Sequence, residues 1–254
     1  MRAGTERLAA LGRAELTLLV RNRTALVVAL LLPVAMVASM RSSLGRVDLG
    51  AAGMTLDGAL LSGAIGMVLL LVVYLNLTSA FVARREELVL KRLRTGEVSD
   101  AEILAGTALP AAALALAQSV LVVVAGAVFL DAGGPRRPEL LVAGVLLGIV
   151  LMTVLAAATA ALTRTTESAQ ITTMPLFLVC ALGSGLFVPV DLLPDRIAWV
   201  CERLPMTGVM ELVRAGLLGG ADGAEAARAA LRALIWIACS LVAVRRWFRW
   251  EPRR

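Results

Sequence analysis

Apolar runs longer than about 18 residues and almost free of charge recur along this chain, and no other feature limits its folding so severely. Inside hydrocarbon the backbone groups of such a segment are satisfied only by a helix or a closed barrel, and runs of this length fit helices. Six spans are read, at 24–40, 58–83, 103–130, 140–163, 169–190 and 229–247, the first of them the shortest. At a rise of 1.5 Å, about 20 residues cross a hydrocarbon core roughly 30 Å thick. The hydrophobic share of the 254-residue chain is 59%. The polar residues left over are too few to cover six apolar helices in water. The expected fold class is all-α, a polytopic membrane protein with six transmembrane helices.

The placement of charge gives an orientation. Basic residues number five before the first run, five in the loop at 84–102, one at Arg164 and five at the C-terminus. The alternate segments hold two, two and five, so the balance is 16 against 9. The positive-inside rule then puts both termini in the cytoplasm of a plasma-membrane protein. Because the arginines gather at the ends of apolar runs, the net charge of +6 reads as topological anchoring rather than nucleic-acid binding.

Absences exclude several kinds of chemistry. The chain has no histidine, and Cys180, Cys201 and Cys239 show no CxxC spacing. That leaves no metal cluster, no cysteine–histidine nucleophile pair and no implied cofactor. A phosphate-binding loop needs GxxxxGK[ST], and the only lysine, Lys91, follows Leu90. Asp57, Asp131, Glu139, Glu167 and Arg232 all fall at or near the ends of apolar runs. Carriers driven by proton or sodium gradients ordinarily keep such groups in mid-membrane, although sodium sites of neutral oxygens remain open. An integral-membrane enzyme is the least favoured class, and any energy for uphill transport must come from a separate protein.

The segments between the runs carry the informative patterns. In residues 1–23, Leu8, Leu11, Leu18 and Leu19 share one sector of a helical wheel opposite Glu6, Arg7, Arg13 and Arg21. Glu15 projects into the leucine sector and calls for an arginine partner or a route to the headgroups. Between the second and third runs, Arg85 to Thr95 reads as a short two-faced helix. Val89, Leu90 and Leu93 lie on one face, and Glu87, Lys91 and Arg94 on the other. Gly96 suits the end of that helix, and Ser99 with Glu102 reads as the capping box of the next. After the fifth run, Pro189, Pro194 and Pro205 divide the chain into short pieces. One helix is expected over 195–204, with Ile197, Val200, Cys201 and Leu204 in a stripe, and a second from a Thr207 cap to Gly219, both at the outer interface.

Small residues at Gly144 and Gly148, and at Ala181 and Gly185, mark close helix packing, with a dimer contact as the alternative. The polar residues within the runs are neutral: Asn76, Thr78, Gln118, Ser119, Thr153, Thr159, Thr172, Thr173 and Ser184. Most are expected to bond neighbouring helices. Asn76, Gln118, Thr172, Thr173 and Ser184 are the candidates for lining a substrate route.

Taken together these residues resemble the permeases of type-2 ABC exporters over almost the whole chain. The surface helix with Glu15 running into RNRTALVVALLLPV (21–34) is similar to that family's elbow helix and first span. The stretch 86–106 with LKRLR (90–94) looks like its cytoplasmic coupling helix, within a loop at 84–98. FVPVDLLPD and LPMTGVMELVRAGLLGG, within 188–220, resemble its short extracellular helices. The sequence departs from the family where Leu88 and Val89 follow the glutamates in place of a glycine–threonine pair. The resemblance implies an elbow helix at 1–23, a six-span permease domain at 24–254 and no ATP hydrolysis by this chain. It also implies two ATPase subunits, a second permease subunit and contact with the ATPase through Glu86, Glu87, Leu90, Lys91, Leu93 and Arg94. The expected activity is efflux of drug-like, antibiotic or lipid-like molecules, with antibiotic resistance as its setting. An ion-gradient carrier and a non-transporting immunity or scaffold protein stand as the alternatives.

Overall fold

The computed structural model describes residues 56–87, 100–129, 134–186 and 193–247, together with Ala35 and Val190. The surface helix with Glu15 and the first apolar run fall outside the described residues, as do Leu90, Lys91, Leu93 and Arg94. The described residues are mostly helical. A long rod comprises α1 (Leu56–Val68), a π-helical stretch (Leu69–Leu75) and α2 (Asn76–Glu86). It is followed by α3 (Asp100–Phe129), α4 (Pro138–Leu162), α5 (Thr166–Gly183), α6 (Asp195–Cys201), α7 (Thr207–Leu218) and α8 (Gly223–Trp247). Among the described residues, four helices are long and apolar enough to cross a membrane: Asp57–Glu86, Glu102–Phe129, Pro138–Leu162 and Gly223–Arg246.

The rod is the innermost of these helices, with 72% of its most apolar window buried against 28% for α8. The core runs along it through Ile65, Leu69, Leu70, Val73, Tyr74, Leu77 and Phe81. Mid-rod, Tyr74 Oη and Thr159 Oγ1 of α4 share a hydrogen bond of 3.1 Å, which satisfies two buried hydroxyls at once. On the outward faces, Val142, Leu146 and Val150 form an exposed stripe at four-residue spacing on α4, and Ile171, Leu178 and Leu182 are exposed on α5. Such apolar stripes suit contact with lipid tails.

The fifth run is shorter than expected. Its apolar pattern predicts a span to 190, yet α5 stops at Gly183 and the chain turns through Gly185 at φ 76°. Its first two turns carry Thr166, Glu167, Ser168, Gln170, Thr172 and Thr173, so α5 falls short of the four spanning helices in apolarity. Gly185 therefore lies past the helix end and is no partner to Ala181 in a packing stripe. The last helix, by contrast, begins six residues earlier than its apolar run, at Gly223. A reciprocal cap explains this: Asp222 Oδ1 accepts from Glu225 N at 2.6 Å, and Glu225 Oε2 accepts from Asp222 N at 3.1 Å.

The short helices after α5 also depart from expectation. Helix α6 ends at Cys201, with Ile197 and Val200 exposed and Cys201 buried, so the proposed stripe is split. Thr207 is not a cap. It is the first residue of α7, and its Oγ1 donates to Cys201 O at 2.5 Å. Helix α7 is not a half-exposed surface helix, because Gly208, Val209, Met210, Leu212, Val213, Gly216 and Leu217 are all buried. It is enclosed by α4, α8 and α1. Its two buried glycines let it sit against other backbones. A side chain at Gly208 would strike Ala229 O of α8, and one at Gly216 would strike the Leu141 backbone of α4. Gly144 and Gly148 of α4 serve the same packing, against Leu212 and Val213 and against Leu69 and Val209. That pair works inside the chain.

Candidate functional site

The most elaborate polar cluster lies where the rod ends, at the start of the loop that precedes α3. Helix α4 ends at Leu162 and α5 begins at Thr166, joined by Thr163, Arg164 and Thr165. Thr165 caps α5: its Oγ1 accepts from Ser168 N at 3.2 Å, while Ser168 Oγ accepts from Thr165 N at 3.0 Å. This tight turn sets the carbonyl end of one helix beside the amide end of the next.

Three consecutive residues of the rod reach three other elements there. Arg84 Nη1 donates to Thr107 Oγ1 of α3 at 3.1 Å. Arg85, 1% exposed, donates from Nη1 to Ala160 O at 2.9 Å and from Nη2 to Thr163 O at 2.5 Å and Arg164 O at 3.3 Å. Glu86 Oε1 accepts from Thr166 N, the first amide of α5, at 3.3 Å. Each sign is placed where the helix dipole favours it, the cation on carbonyls at the end of α4 and the anion on the first amide of α5. A buried guanidinium is costly unless its donors find acceptors, and these carbonyls take up both terminal nitrogens.

Of the residues expected to meet an ATPase, Glu86 is half-buried against α5. Glu87 is exposed and closes α2, its amide donating to Ala83 O at 2.9 Å. Arg84 and Arg85 escaped the sequence reading as site residues. Their signal was the charged run Arg84-Arg85-Glu86-Glu87 at the end of an apolar stretch, which marks a boundary but not what each side chain meets.

The candidates for a substrate route do not share one surface. Asn76 is exposed and Thr172 half-buried, while Gln118, Thr173 and Ser184 are buried. Thr172 Oγ1 donates to Ser168 O at 2.9 Å and Thr173 Oγ1 to Ala169 O at 2.8 Å. Both hydroxyls are thus turned onto their own helix.

At the opposite end of the bundle lies an open cleft of about 970 Å³ between α7, α8 and the segment before α4. Arg136, Arg203, Glu211, Arg214, Arg228 and Arg232 contribute to its walls. Arg232 pairs with Glu211 and also donates to Glu202 O at 3.3 Å. The Arg203 guanidinium lies 3.8 Å from the Trp199 ring centre, and Arg203 O accepts from Trp236 Nε1 at 2.9 Å.

Among the described residues no histidine, cysteine or carboxylate cluster could hold a metal ion. The arrangement is that of a helical membrane body with a polar joint at one end and a charged cleft at the other. The chain belongs to the ABC-2 type transporter family, whose model matches residues 6–218, and it is a permease subunit of that family. A search of curated proteins found no match.

Proposed function

We propose that this chain is the permease of an ATP-driven exporter, powered by separate ABC ATPase subunits that grip the segment 85–95 on the cytoplasmic side. Both termini then face the cytoplasm of the plasma membrane, residues 1–23 lie along its inner surface, and α6 and α7 sit toward the exterior. Two permease subunits enclose the route, and the cargo is a drug-like, antibiotic or lipid-like amphiphile. The observation that carries the reading is the polar joint at residues 84–86, which fastens the root of the proposed ATPase-binding loop to α3, α4 and α5. A solvated connector has no need of such an anchorage. The family match supports an ATPase partner, and the absence of a GxxxxGK[ST] loop from the sequence leaves ATP hydrolysis to that partner.

The test is co-expression of the full chain with its ABC ATPase subunit, followed by ATP-dependent uptake of fluorescent amphiphiles into inside-out vesicles. Wild type should co-purify with the ATPase and accumulate dye. The double charge reversal Glu87→Lys with Arg94→Glu should weaken both. Intact association and intact uptake in that variant would remove the coupling role from this loop.

A further inference from the structure

We infer that Arg84, Arg85 and Glu86 are positioning residues for energy transmission, a joint that makes displacement of the loop move the ends of α3, α4 and α5 together; this rests on the proposed ATPase contact. Successive helical residues point about 100° apart. Three in a row therefore reach around the rod, and here each meets a different element: Thr107 of α3, the carbonyl end of α4, and the first amide of α5. The joint sits immediately before exposed Glu87, where α2 closes and the chain passes into the loop. At its other end the same rod packs through α1 on α7, whose Glu211 and Arg214 line the charged cleft. A push at Glu87 thus has a continuous path of packed helix to the far cleft.

Holding the bundle together does not by itself call for this chemistry. Well-packed apolar residues usually serve stability as well as buried charges do, or better. Polar groups with discrete partners are suited to an element that exchanges one set of bonds for another. Arg85 is bonded to the end of α4 and Glu86 to the start of α5. Shifting the rod along its axis would therefore strain both bonds and carry the α4–α5 turn with it.

The experiment uses the full chain assembled with its ABC ATPase subunit in lipid nanodiscs, comparing wild type with Arg85→Lys, Glu86→Gln and Thr107→Val. Arg85→Lys keeps the charge but loses the planar fork, and Thr107→Val removes one acceptor of Arg84 without touching a charge. Ile237→Val, in the core on α8, serves as a control that loosens packing away from the rod and the joint. The joint variants should co-purify with the ATPase at wild-type stoichiometry and with unchanged KM for ATP, while kcat falls about tenfold. Ile237→Val should leave kcat unaltered. Joint variants that assemble and turn over ATP at the wild-type rate would overturn the inference, as would an equal fall in Ile237→Val. Failure of wild type to bind the ATPase would instead refute the function proposed above.

Discussion

Gly216 faces α4 at a point where no side chain fits. A Cβ built there would lie 2.6 Å from both Cα and Cβ of Leu141, against the 3.5–4.0 Å of an ordinary carbon contact. The obstacle is mostly backbone, so α7 and α4 must part by about 1 Å rather than a side chain swinging aside. Overpacking of this kind costs about 1–3 kcal/mol, and a collision between two backbones belongs at the upper end. Alanine in a helix interior recovers about 1 kcal/mol relative to glycine. The net expectation for Gly216→Ala is a loss of about 2 kcal/mol, or about 4–8 °C in Tm for a chain of this size. Gly223, the first residue of α8, is the control. A Cβ there meets nothing within 4 Å, so Gly223→Ala should hold or raise Tm. The assay is thermal unfolding of the purified protein in mild detergent, followed by tryptophan fluorescence, with Trp236 on the neighbouring α8 as a reporter. Equal or higher stability of Gly216→Ala relative to Gly223→Ala would refute the close crossing of α7 over α4.

The mid-rod bond yields a second expectation. Tyr74→Phe and Thr159→Val should each cost about 0.5–1.5 kcal/mol, with the double variant costing less than their sum, because both remove the same hydrogen bond. Strict additivity in a denaturation series would show that the two hydroxyls do not meet. The Arg232–Glu211 pair is about one-third exposed on each side, so its double-mutant coupling should stay below about 1 kcal/mol and shrink as salt is raised to 1 M. A coupling of several kcal/mol that ignored salt would contradict that exposure.

The sequence by itself determined that this is a helical membrane protein, and it located three of the apolar helices to within a few residues. Length and apolarity are local properties, and hydrocarbon accepts no other backbone arrangement from such runs. It also marked Arg84 to Glu87 as the charged end of an apolar run, since such a boundary is visible in one dimension. Tertiary structure alone decided which faces meet. Lipid and protein core are both apolar, so the hydrophobic pattern that separates inside from outside in a soluble helix carries little information here. That is why the enclosure of α7 is not legible in its sequence: its Gly208 and Gly216 admit neighbouring backbones only once the chain has folded. It is also why Arg85 looked like one more anchor: the carbonyl it meets at Thr163 lies 78 residues further along, and only folding brings the two together.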